Sequence, residues 1–125
     1  MRVCKLRPAE VVGLEFERLE RFWRRLGPEH GEIALGIAME DLALLLQEAR
    51  VAWEMGDRRA LRMRALALQG TADRLGMPQV RTVAGDVIAL CSAGDEATLA
   101  AIVERLQRLG EGSLCAVWDA QVPVV

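Results

Sequence analysis

The sequence predicts an all-α protein, an up-and-down antiparallel four-helix bundle with an additional N-terminal helix. Apolar residues recur three and four positions apart along most of the chain, as they do on one face of a helix. Ala and Leu are abundant, while β-branched residues are few outside residues 80–88 and the last few positions, and this balance favours helices over sheet. Short connections at glycine and proline should make consecutive helices antiparallel. We expect one domain over residues 1–125, with the accessory helix at 8–26 and the bundle at 32–121.

The first two predicted helices meet at Gly27. Pro8 suits the first position of a helix, and the apolar side of that helix is formed by Val12, Phe16, Leu19, Trp23 and Leu26. The second helix is predicted over residues 32–55. Ile37 and Leu44 add apolar surface to a second side of it, so we expect this helix to be buried on more than one side.

Two Gly-Asp pairs, at 56–57 and 94–95, each place a helix stop beside a helix cap. The third helix follows the first pair and ends at Gly76, and the fourth spans residues 78–93. We expect the last helix to start at Asp95; either Gly110 and Gly112 bend or end it, or it continues through Trp118, as the apolar spacing allows. The recurrence of Gly-Asp also permits helical repeats, but two units are fewer than a solenoid needs, so the bundle is preferred.

Composition and charge exclude several classes of protein. The net charge is −2, which gives no electrostatic attraction to DNA, RNA or an anionic membrane. The longest apolar stretch, residues 33–46, is interrupted by Glu40 and Asp41, and the N-terminus has no apolar core of signal-peptide length, so no membrane segment is predicted. The three cysteines are odd in number and widely spaced, which favours reduced thiols and a soluble cytoplasmic protein: Cys4, Cys91 and Cys115.

The chain lacks the residue patterns that carry catalysis or hold cofactors. His30 is the only histidine and has no companion at metal-ligand spacing, so we predict an exposed residue at a helix entry. Neither a P-loop nor a dinucleotide-binding glycine motif is present. We therefore predict no enzyme activity, no metal site and no bound cofactor.

The third helix carries apolar residues on two opposite sides. Its core stripe is predicted to be Leu61, Ala65, Leu68, Ala72 and Leu75. Met63 and Leu66 lie about 140–200° from that stripe, at 100° per residue. They are placed among polar or small residues, and the whole set is a candidate partner-binding face: Arg59, Arg62, Met63, Leu66, Gln69, Gly70 and Asp73.

Residues 65–76, ALALQGTADRLG, resemble the motif A-H-x-L-K-G-x-A-x-x-L-G of histidine phosphotransfer (HPt) domains, the relay modules of bacterial phosphorelay signalling. The resemblance extends over residues 39–109 and includes both Gly-Asp junctions. Leu66 stands where the family has its phosphorylated histidine, and Gln69 stands where it has a lysine. Because a leucine side chain has no lone pair to accept phosphate, the resemblance implies an HPt-like fold that has lost its relay function, a pseudo-phosphotransferase.

Three functional hypotheses follow. The first is a non-catalytic HPt-like protein that binds a response-regulator receiver domain or a histidine kinase of two-component signalling, as a decoy or adaptor. The second is a structural or regulatory homodimer formed through the first helix and the patch of Met63 and Leu66; burial of that patch by the first helix or by a second copy is slightly preferred over a signalling partner. The third is a small-molecule pocket between helices. Gly70 is either a gap that lets a regulator approach, or merely a weak point or a packing contact within the helix.

Overall fold

The computed structural model describes residues 13–121, which form five α-helices. Their bounds are α1 Phe16–Leu26, α2 Pro28–Glu54, α3 Arg58–Arg74, α4 Pro78–Ala93 and α5 Glu96–Gln121. Within this described range there is no strand, so the all-α prediction is confirmed. None of these helices combines the length and the apolar character that crossing a bilayer would take.

Helices α2 to α5 pack around one core. Each contacts the next in the chain, and α5 also packs against α2, so a helical bundle is confirmed. The core stripe predicted for the third helix is fully buried on α3. It packs with inward-facing leucines and valines of the other three helices, among them Leu35, Leu42, Val80, Val87, Leu99 and Leu106.

The junctions around α3 follow the predicted stop-and-cap chemistry. Gly56 and Gly76 adopt φ values of 70° and 68°. The amides of Asp57 and Met77, one residue further on, donate to carbonyls in the last turns of α2 and α3 at 2.9 Å each. These are Schellman motifs, which use glycine because its backbone enters the left-handed region without strain.

Aspartates cap the helices that follow each Gly-Asp pair. The carboxylate of Asp57 accepts from the amide of Ala60 at 3.0 Å, and that of Asp95 accepts from the amide of Thr98 at 3.0 Å. Hydrogen bonds from the side chain and backbone of Thr98 hold the pKa of Asp95 below its usual value. Both predicted caps are confirmed.

The first helix is shorter than predicted within the described range. Gly13–Glu15 are not helical, and the amides of Gly13 and Glu15 bond to groups outside α1. The Glu15 amide donates to the carbonyl of Gly76 at 2.7 Å, and the Gly13 amide donates to Oε1 of Gln79 at 2.7 Å. These bonds attach the start of α1 to the α3–α4 turn. Residues 8–12 of the predicted helix, and the chain end after residue 121, lie outside the described residues.

The outer side of α2 corrects a second expectation. Ile37 and Leu44 are each 54% exposed, so burial on more than one side is wrong. Only one side of α2 faces the core, where Leu42 and Ala49 are fully buried. The other helices pack against that side alone, and the opposite side is exposed to solvent.

The prediction that all three cysteines are reduced thiols is wrong for one of them. Cys115 is disulfide-bonded, whereas Cys91 carries a free thiol. Cys4 lies outside the described residues. Count and spacing along the sequence do not show which sulfur atoms come together in space, which is why the prediction failed for Cys115. The cysteine pattern therefore no longer supports the predicted cytoplasmic location.

Candidate functional site

The outer side of α3 is exposed at its centre. Met63 is 54% and Leu66 is 43% exposed, and Arg59, Arg62 and Gly70 are also exposed. The described part of the first helix therefore does not cover Met63 and Leu66, which leaves a second copy as the remaining burial alternative. Helix α1 instead contacts the C-terminal end of α3, because the start of α1 is attached to the α3–α4 turn.

Gly70 lies on open surface one turn after Leu66. A Cβ atom built at this position would meet no heavy atom within 4 Å, apart from its own helix backbone and chain neighbours. Gly70 therefore makes room for no side chain of a neighbouring helix, whereas its alternative interpretation as a weak point of the helix stays a prediction. The absence of a side chain leaves a low point in the surface beside the exposed leucine.

Gln69 turns away from the exposed face toward α4. Its Nε2 donates to the carbonyl of Arg81 at 3.4 Å, a long and weak bond. The same nitrogen lies 2.9 Å from where a Cβ of Gly85 would be. Gly85 thus makes room for the amide of Gln69, and this predicted face residue is half-buried in the seam between α3 and α4.

Asp73 belongs to an ion-pair cluster rather than to the free surface. Its Oδ1 accepts from Arg18 at 2.7 Å and from Arg81 at 2.9 Å, and Glu15 pairs with the same two arginines at 3.5 and 3.3 Å. The cluster joins α1, α3 and α4. Because its members are about one-third to one-half exposed, each pair contributes only about 0–1 kcal/mol. Helical periodicity gave no signal for Glu15, Arg18 or Arg81.

The first turns of α3 carry four arginines, of which two bond to other described parts of the protein and two do not. Arg58 donates to the carbonyl of Gly94 at 3.2 Å, and Arg64 pairs with Glu48 at 3.2 Å. Within residues 13–121, Arg59 and Arg62 form no ion pair, so their charges face solvent. The predicted site thus divides into two engaged residues, Gln69 and Asp73, and five free ones. We call the free set the α3 face: Arg59, Arg62, Met63, Leu66 and Gly70.

Cys91 lies beside this face and is expected to react slowly. Burial raises the pKa of its thiol, and the positive charges of Arg58 and Arg62 lower it by less. Since the thiolate is the nucleophile, we expect iodoacetamide at pH 7.5 to modify Cys91 more slowly than it modifies glutathione. The Arg62→Gln variant should be slower still. Peptide mass spectrometry of timed samples measures both rates, and wild-type alkylation as fast as that of glutathione would contradict the expectation.

Other candidate sites give little chemistry among the described residues. No group of three His, Cys, Asp or Glu side chains there is placed to hold a metal ion, and His30 is exposed in the first turn of α2. Two open clefts border α1 in the described part of the chain, one along its outer side and one between α1 and the last turn of α3. One is lined by Glu17, Glu20, Arg21, Arg24 and Arg25, the other by Arg18, Arg21, Phe22, Arg25, Leu26, Asp73 and Arg74.

Comparisons of the chain with protein-family models, with curated proteins and with solved structures give no match. The resemblance to HPt domains therefore depends on the motif at residues 65–76 and on the two Gly-Asp junctions. Assignment to that family stays a prediction.

Proposed function

We propose that this chain is a non-catalytic, HPt-like protein that binds a receiver domain or a histidine kinase of bacterial two-component signalling. The observation that carries the proposal is the exposure of Leu66. This residue occupies the motif position of the phosphorylatable histidine, and it faces solvent as a relay histidine would have to. The chain would act as a decoy or an adaptor.

The α3 face has the composition of a small docking surface. Met63 and Leu66 supply apolar area at its centre, and Arg59 and Arg62 supply unpaired positive charge at one end. Apolar anchors give most of the affinity in such contacts, while charges at the rim mainly raise the association rate and fix the register. A matching partner would present acidic groups beside an apolar patch.

The same residues argue against phosphoryl transfer at this position. Leu66 offers no atom that could accept phosphate. Gln69 carries no positive charge, and its amide is turned toward the carbonyl of Arg81 rather than toward Leu66 and Gly70. Binding without transfer is the behaviour that fits both substitutions.

Titration of fluorescently labelled receiver domains and kinases from the source genome tests the proposal. We expect at least one to bind the wild-type chain at micromolar concentration. The Leu66→Glu variant should bind it at least tenfold more weakly, a loss of about 1.4 kcal/mol, because a carboxylate would replace the central apolar contact. Leu44→Glu changes a comparably exposed leucine on α2 and should leave this affinity unchanged.

Two results would argue against the proposal. One is the absence of binding to every receiver domain and kinase at concentrations up to about 100 μM. A dissociation constant above that value corresponds to a binding free energy weaker than roughly −5.5 kcal/mol. The other is a binding partner whose affinity is unaffected by Leu66→Glu. In the second case the partner would use another surface.

A further inference from the structure

The outer side of α2, together with Met55 directly after it, carries five apolar side chains that are each more than half exposed: Ile33, Ile37, Leu44, Val51 and Met55. At 100° per residue they fall within a band about 40° wide, and at 1.5 Å per residue the band is about 33 Å long. We call this set the α2 stripe. It lies opposite the core residues Leu42 and Ala49. Scattered exposed apolar residues are ordinary, but five on one side of a single helix are a candidate interaction surface, although the exposed Glu40 lies between Ile37 and Leu44.

The spacing of the α2 stripe is symmetric about Leu44. Ile37 and Val51 lie seven residues before and after it, and Ile33 and Met55 lie eleven residues before and after it. If two such helices cross antiparallel with Leu44 facing Leu44, then Ile37 meets Val51 and Ile33 meets Met55. Every apolar residue of one stripe then meets an apolar residue of the other. This is the self-complementarity that a two-fold symmetric contact between identical chains requires.

The charged residues nearest the centre of the α2 stripe are acidic: Glu40, Asp41 and Glu48. A two-fold axis at Leu44 places Glu48 of one copy opposite Glu40 of the other. Glu48 already pairs with Arg64 at 3.2 Å within its own chain. Attraction between opposite charges therefore does not support the contact, and the inference depends on the apolar match alone.

We propose that the α2 stripe binds the α2 stripe of a second copy of this chain, antiparallel, about a two-fold axis at Leu44. The five side chains expose on the order of 500 Å² per copy, at the upper range of apolar patches on monomers. With flanking polar residues the contact approaches the roughly 800 Å² per partner of a specific interface. A reversible dimer is therefore expected. The α3 face takes no part in the contact, so the inference does not depend on the proposed function.

Molar mass measured by light scattering and sedimentation equilibrium tests the association. Wild type is expected to reach twice 13.8 kDa at tens of micromolar. Leu44→Glu should raise the dissociation constant at least a hundredfold, because it places two carboxylates together on the axis. Leu66→Glu, on the α3 face, should leave it unchanged. A wild-type monomer at 200 μM, whatever else covers the stripe, overturns the proposal, and so does a dimer that Leu44→Glu does not weaken.

Cysteine cross-linking in a Cys91→Ala background tests the orientation. A mixture of the Ile37→Cys and Val51→Cys variants should form a covalent dimer with a short dithiol-specific cross-linker, while each variant alone should not. A parallel pairing gives the reverse pattern, since each residue then meets its own copy. Cross-linking of either variant alone, or none in the mixture, overturns the antiparallel contact.

Discussion

Gly76→Ala is expected to lower the free energy of unfolding by about 2–3 kcal/mol, for two reasons that add. The backbone of Gly76 has φ 68°, a left-handed conformation that costs an L-residue about 1 kcal/mol. A Cβ there would also lie 2.5 Å from the carbonyl oxygen of Glu15. Because Glu15 donates its amide to Gly76 at 2.7 Å, relieving this overlap breaks the attachment of α1. Urea denaturation followed by far-UV circular dichroism measures the loss.

Gly56→Ala is the matched control for that prediction. Gly56 ends α2 in the same kind of motif with φ 70°, but a Cβ there meets nothing within 4 Å. The free energy of unfolding of this variant should fall only by the cost of the left-handed backbone conformation, about 1 kcal/mol. The difference between the two variants isolates the contact between Gly76 and the start of α1. Equal losses in the two variants would contradict the described packing of α1 on the α3–α4 turn.

The double substitution Leu66→His with Gln69→Lys is expected to turn a chain that takes up no phosphate into one that does. Leu66 is 43% exposed, so an imidazole there reaches solvent, and the open surface at Gly70 lets a donor approach. A lysine at position 69 replaces only one weak bond to Arg81 and brings a positive charge to the phosphoryl group. Incubation with a phosphorylated receiver domain that binds the chain, followed by detection of acid-labile phosphate, measures the gain.

Single variants separate the two contributions. Leu66→His alone should take up less phosphate than the double variant, and Leu66→Gln should take up none. A double variant that binds its phosphorylated receiver but takes up no phosphate would contradict the correspondence between position 66 and the relay histidine. Uptake by the wild-type chain would contradict the non-catalytic assignment itself.

The bundle could be predicted from the sequence because helix stops, helix caps and apolar spacing each depend on residues only a few positions apart. Helix α4 begins and ends where its proline and the following glycine indicated, and both aspartate caps form. The start of α1 could not be read in this way. Its position depends on hydrogen bonds from Gly13 and Glu15 to Gln79 and Gly76, which lie far away in the sequence.

The candidate site was predicted in part for a similar reason. Helical geometry alone places Met63, Leu66 and Gly70 away from the core stripe, and the structure leaves them exposed. The same geometry grouped Gln69 and Asp73 with them, although each is held by a group on another helix. The exposed side of α2 was missed because an apolar stripe that faces solvent has the same periodicity as one that faces a core. The symmetry about Leu44 was nonetheless present in the sequence.

The measurement that tests the account most directly combines two assays on the same three proteins: wild type, Leu66→Glu and Leu44→Glu. Partner affinity is measured by titration with a receiver domain or kinase, and self-association by sedimentation equilibrium. We expect Leu66→Glu to lose the partner and keep the dimer, and Leu44→Glu to keep the partner and lose the dimer. A partner affinity that falls with Leu44→Glu but not with Leu66→Glu would contradict the central claim that the α3 face is the docking surface.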